Sequence, residues 1–213
     1  MHYLYLHGFA SSPQSQKAAA LAAQFRAIGH ALVCPDFNEP DFATLTLTRM
    51  LDQTASAIDD FADREPVALI GSSLGAVVAI HTAARLPDRV DRLVLLAPAV
   101  MFPRDADRVF TPDTVARWRA TGTLDVLHYS AGERRPLRYA FLEDALQYDA
   151  HNVELAQQML ILQGTRDETV DCRHVQQYAS IRPSARLVLL DDDHQLIASL
   201  PRIWRETAAF LGL

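Results

Sequence analysis

A serine bracketed by glycines, Gly71-Ser72-Ser73-Leu74-Gly75, directly follows the apolar run Val67 to Ile70 and directly precedes a stretch of helical period. On a strand-to-helix turn the G-x-S-x-G spacing presents a nucleophile, because a side chain two residues before or after the serine would block the sharp turn. The turn holds Ser73 in a strained backbone conformation and projects its hydroxyl beyond the strand. The helix that starts there has free N–H groups in its first turn, and the Leu74 N–H is placed to donate to an oxyanion. Without that context the same residues are an ordinary Gly/Ser turn. Ser72 occupies a position that points elsewhere.

A serine hydroxyl is too weak an acid to attack an ester at neutral pH, so a base must take its proton and later return it to the leaving group. Of the eight histidines, His194 alone lies just beyond the last apolar run, Leu187 to Leu190, at the sheet edge where ligands and catalysts collect. His7 comes too early for the order nucleophile, acid, base. His30, His81, His128, His151 and His174 fall on helices, at an element start or in an irregular segment, where packed or surface roles are expected. The imidazole needs a carboxylate on its other nitrogen to fix its tautomer and balance its developing charge. Asp167 fits, in Gly164-Thr165-Arg166-Asp167-Glu168-Thr169-Val170 right after Leu160 to Leu162; Glu168 and Asp171 are the alternatives. The first strand ends in His7-Gly8-Phe9, and the Phe9 N–H is the expected second oxyanion donor.

Six short apolar runs have the length of buried strands: Tyr3 to Leu6, Ala31 to Cys34, Val67 to Ile70, Leu93 to Leu96, Leu160 to Leu162 and Leu187 to Leu190. The first helix is expected to be capped by Ser12 with Pro13 at its first position and to end at Gly29. The second carries Leu47, Leu51, Thr54, Ile58 and Phe61, the third runs from Ala76 to Leu86, and the last presents Leu200, Ile203, Trp204, Thr207, Ala208 and Leu211. Alternation of strand and helix predicts a mostly parallel sheet of about six strands with helices on both faces. The stretch 101–155 separates two strands by far more than an ordinary connection and reads as a cap inserted into one domain spanning 1–213. Within it, Pro112 to Ala120 reads as a helix ending near Gly122, Leu124 to Tyr139 as a hairpin turning at Ala131-Gly132, and Phe141 to Tyr148 as a helix.

The composition narrows the partners. The 213 residues carry a formal charge of −6, with hydrophobic residues at 49% and charged residues at 22%, a globular balance with no general attraction for nucleic acid or an anionic membrane. Lys17 is the only lysine among the 20 basic residues. Cys34 and Cys172 stand apart without metal-type or disulfide-framework spacing, and the N-terminal segment reads as a strand, not a signal peptide. These features lead us to expect a cytoplasmic protein with reduced thiols, acting on a small-molecule acyl substrate; they leave the oligomeric state open.

The residues quoted above also resemble a known family. Leu6-His7-Gly8-Phe9 followed by Ser11-Ser12-Pro13, Ser15 and Lys17, the Gly71 to Gly75 elbow, Asp167-Glu168 with Asp171, and the terminal Phe210-Leu211-Gly212-Leu213 are similar to the α/β-hydrolase superfamily, specifically to small bacterial esterases of the YqiA type. The resemblance implies an α/β-hydrolase fold lacking the first two strands of the larger superfamily pattern, esterase activity on short acyl esters, and neither cofactor nor metal. The same triad serves thioesterases, lactonases and small peptidases, and a hydrolase-like protein that has lost catalysis works by binding. The chain departs from the family at Asp191-Asp192-Asp193, where glycines are usual, and in its cap. A carboxylate from that run approaching His194 would favour the imidazolium. The cap arginines Arg134, Arg135 and Arg138 are candidates for recognising a substrate carboxylate or phosphate.

Overall fold

The computed structural model describes residues 1–213. Six strands form one parallel sheet: β1 (His2–Leu6), β2 (Leu32–Val33), β3 (Val67–Ser72), β4 (Val90–Leu96), and, beyond an insertion, β7 (Gln158–Gly164) and β8 (Ala185–Leu190). Their spatial order is β2-β1-β3-β4-β7-β8, so the strand bearing the serine elbow lies inside the sheet, between β1 and β4. All six expected strands are present. Side chains on each strand alternate between two separate cores, as a two-residue repeat requires. Leu4, Leu6, Leu69, Leu93, Leu95, Met159 and Ile161 face one core, while Tyr3, Tyr5, Ala68, Ile70, Val94, Leu96, Leu160 and Leu162 face the other.

Helices cover both faces. On the first lie α2 (Leu47–Asp59), α3 (Leu74–Arg85) and α6 (Cys172–Ser180); on the second lie α1 (Gln16–Ala27) and α7 (Leu200–Leu211). The α3 sequence is apolar nearly all round because the helix is buried between the sheet and α2, and nine of its residues are buried. No helix is long and apolar enough to cross a membrane.

The boundaries of α1 and α2 differ from the sequence reading. The α1 cap is Ser15, whose Oγ accepts from the Ala18 N–H, and not Ser12. Ser12 closes the turn before it, its carbonyl accepting from Ser15 N–H at 3.0 Å and its Oγ from Gln14 N–H at 3.2 Å. That turn is tied across the molecule by the Asn38 carboxamide, which donates to Ser11 O at 2.9 Å. At the other boundary, α2 stops before Phe61, whose ring stacks on His2 at 3.9 Å instead of extending the helical stripe.

Between β4 and β7 the chain leaves the sheet. It forms α4 (Pro112–Thr121), a hairpin of β5 (Thr123–His128) and β6 (Glu133–Arg138), and α5 (Ala140–Ala145). Gly122 ends α4 in the left-handed region at φ 77°, where a residue without Cβ is unstrained. Trp118, wholly buried, anchors the segment with its indole N–H on Leu137 O at 2.9 Å. A polar tether joins it to α2: Asp144 accepts from Thr48 N–H at 2.8 Å and from Thr48 Oγ1, which also contacts Tyr148 Oη at 2.6 Å. α5 is shorter than the sequence period suggests, ending before Tyr148 joins this tether.

Candidate active site

The elbow is a point of steric compulsion. A Cβ on Gly75 would lie 2.0 Å from Leu6 O, and one on Gly71 would lie 2.5 Å from Gly75 O. Strands β1 and β3 approach the start of helix α3 that closely only without side chains there. Ser73 itself has φ 54° and ψ −115°, a conformation costing roughly 1–3 kcal/mol for a residue with a Cβ. Its backbone is pinned from β4: Ser73 N–H donates to Leu96 O at 2.9 Å, and Ala99 N–H donates to Ser73 O at 3.3 Å. The strain is therefore held by neighbours on both sides.

Ser73, His194 and Asp167 meet at the C-terminal edge of the sheet. His194 Nε2 is 3.1 Å from Ser73 Oγ, and His194 Nδ1 is 2.8 Å from Asp167 Oδ2. An ionised carboxylate only accepts, so Nδ1 carries the proton and Nε2 offers its lone pair to the serine hydroxyl. Asp167 is fixed by four donors. Its Oδ1 accepts from Thr169 and Val170 N–H at 2.9 and 2.8 Å, while Oδ2 accepts from Gln163 Nε2 at 3.0 Å as well as from His194. Burial opposes its ionisation, but the His194 hydrogen bond and charge, with the Val170 and Gln163 donors, outweigh that and hold it below the usual carboxylate range. The two loops close together because Gly164 has no side chain; a Cβ there would lie 2.6 Å from Asp192 O.

The alternative acids have other work. Glu168 is exposed, and Asp171 caps α6, where hydrogen bonds from Arg173 hold its carboxyl well below the usual range. The aspartate run does not hydrogen-bond His194. Asp191 pairs with Arg166, Asp192 accepts from Ser199 N–H at 2.8 Å, and Asp193 from Gln195 N–H at 2.8 Å. It is a capping turn that builds the histidine loop.

The first-strand loop lies against the serine. A Cβ on Gly8 would be 3.2 Å from Ser73 Cβ and 3.9 Å from Leu74 N, so the Phe9 and Leu74 amides border the same space. His7, too early in the chain to be the base, braces this loop. Phe37 N–H donates to its Nε2 at 3.0 Å, which leaves the proton on Nδ1 to donate to Gly8 O at 3.0 Å. Gly8 O and Phe9 N–H belong to one planar peptide group, so fixing the carbonyl fixes the direction of the amide.

A cavity of about 490 Å³ opens over Ser73. Phe9, Phe102, Phe110 and Phe141 form one aromatic wall, with Phe9 5.2 Å from Phe141 between ring centres. Ser11, Ser12, Gln14, Lys17 and Gln195 give a polar wall, and Asp105, Val109 and Tyr129 close the cavity from the inserted segment. Burial pulls the Lys17 ammonium down to about 8, against the charges of Asp167, Asp193 and Asp192. Arg134, Arg135 and Arg138 do not line this cavity: Arg134 and Arg138 lie on the exposed face of the hairpin, where Arg134 donates to Asp125 O, and Arg135, on the opposite face, pairs with Glu133 and borders a neighbouring pocket with Asp36, Asn38 and His128. The sequence reading passed over Gln163 and noted Lys17 without giving it a place in the site. Gln163 was detectable as a carboxamide ending the apolar run before the acid loop, and Lys17 as the chain's sole lysine.

This geometry agrees with what the chain is similar to. The mouse α/β hydrolase domain-containing protein 10 superposes with a TM-score of 0.83 at 21% identity, covering 99% of this chain and 89% of that one. A rat mitochondrial palmitoyl-protein thioesterase, ABHD10, is 29% identical over 101 residues, 45% of this chain; the match spans about a third (34%) of that relative's length. A Xylella fastidiosa pimeloyl-[acyl-carrier protein] methyl ester esterase is 29% identical over 219 residues, covering 87% of this chain and 83% of its own. The fold is thus that of the α/β hydrolases, and since the model of the uncharacterised protein family UPF0227 matches residues 2–211, the chain belongs to that family.

Proposed function

We propose that this chain is a serine hydrolase of carboxylic esters working through an acyl-enzyme. The observation that carries the reading is the continuous relay from Ser73 Oγ through His194 to Asp167, at 3.1 and 2.8 Å, on an elbow at the sheet's C-terminal edge. His194 Nε2 takes the hydroxyl proton as Ser73 Oγ bonds to the acyl carbon, and the carbonyl electron pair moves onto its oxygen. The Leu74 and Phe9 N–H groups hold that oxyanion, each donor contributing about 2.7–4 kcal/mol to the transition state. Collapse breaks the bond to the leaving group, which receives the proton from His194. Water then enters by the same route in reverse and releases the acid.

The relatives named as esterase and thioesterase support acyl transfer as the reaction class. Ser73 labelling by a fluorophosphonate tests catalytic competence directly. The wild type is expected to be labelled at Ser73, and Ser73→Ala is expected to stay unlabelled. An unlabelled wild type would favour the non-catalytic, binding-only reading.

A further inference from the structure

Lys17 is the chain's only lysine, yet it is just 8% exposed, in the first turn of α1 and on the wall of the Ser73 cavity. Among the cavity's lining residues it is the one lysine or arginine. Its ammonium has three N–H bonds and a single acceptor, the backbone oxygen of His194 at the long distance of 3.5 Å. None of the nearby carboxylates hydrogen-bonds it. Asp167 accepts from His194, Gln163, Thr169 and Val170, Asp192 from the Asp193 and Ser199 N–H groups, and Asp193 from the Gln195 N–H. Burying an ammonium is costly unless it is closely paired and fully hydrogen-bonded; here three carboxylates act on it only from beyond ion-pair distance, and one acceptor is in reach.

The direction of the reaction says what lies beside it. His194 Nε2 returns its proton to the leaving atom, so the leaving group sits on the His194 side of the scissile bond, the side Lys17 shares through its contact with the His194 carbonyl. The aromatic wall suits the acyl part instead. We propose that Lys17 receives an anionic oxygen, a carboxylate, on the leaving group, making acidic esters the preferred substrates of this site.

This inference rests on the acyl-transfer reading above, and the test separates the two. The kcat/KM values for 3-carboxyphenyl acetate and phenyl acetate are compared in the wild type, Lys17→Met and Lys17→Arg. One charge-assisted hydrogen bond predicts a preference for the charged ester of about ten-fold or more, expressed mainly in KM. Lys17→Met should lose that preference, and Lys17→Arg should keep part of it. A wild type without preference, or a Met variant that lowers both esters equally, overturns the proposal and makes Lys17 structural. If the wild type hydrolyses neither ester, the acyl-transfer reading is what has failed. Calorimetry with 3-hydroxybenzoate then decides: binding lost in Lys17→Met sustains the anion site, and no binding to wild type removes it.

Discussion

Asp167 accepts from His194 Nδ1, which leaves Nε2 facing Ser73 Oγ, and under the proposed mechanism the cost of losing that contact is large. Asp167→Asn should lower kcat by about 10⁴-fold with little change in KM, because a carboxamide can present its N–H to Nδ1 and stabilise the wrong tautomer; steady-state kinetics on one ester checks this. Lys17 provides a contrasting case, in which a residue opposes stability. Its ordinary value of 10.5 falls to about 8 in the folded chain, so the unfolded chain binds more protons between those limits and stability rises with pH across that window. Lys17→Met should therefore melt at a higher temperature than the wild type at pH 7 and show a flatter stability profile from pH 8 to 10.5 in thermal melts. The Ser73, Asp167 and His194 positions were legible because each follows an apolar strand in a fixed order. The roles of Gln163 and His7 were not, since a buried amide or imidazole declares its partner only when distant backbone, such as Phe37, is brought alongside.

The elements that matter most are those whose backbones touch. Gly75→Ala puts a methyl group 2.0 Å from Leu6 O, backbone that cannot move without breaking the β1–β3 ladder. The variant should unfold with a loss above about 3 kcal/mol or fail to accumulate, read by urea denaturation. The inserted segment depends on the Asp144 tether to Thr48, and Asp144→Ala leaves the Thr48 N–H without its partner. A loss of about 1–3 kcal/mol is expected, with faster amide exchange confined to α5 and the β5–β6 hairpin. Strands and the α4 boundary could be read from sequence because apolar runs, Pro112 and Gly122 are local signals. The start of α1 could not, because Ser12 and Ser15 are equally good caps and the choice is made by Asn38 holding Ser11 from another loop.

At the scale of the molecule, one sheet edge gathers the ends of β1, β3, β7 and β8, so residues 7 to 9, 73, 167 and 194 converge although 187 positions separate the first from the last. The sheet order explains why: β3 lies between β1 and β4, which places the loop after β1 and the elbow side by side. Alternating strands and helices were enough to predict this architecture. Which side chains of the insertion face the cavity was not predictable, because Phe102, Phe110 and Phe141 come from loops and helix ends without a shared period. The central claim is that Ser73 is the nucleophile of an ester hydrolase. It is tested most directly by hydrolysis of p-nitrophenyl esters from acetate to decanoate, comparing wild type with Ser73→Ala under identical conditions. The account predicts turnover by the wild type and a loss of about 10⁶-fold in kcat for the alanine variant; equal activity in both proteins, or none in either, would contradict it.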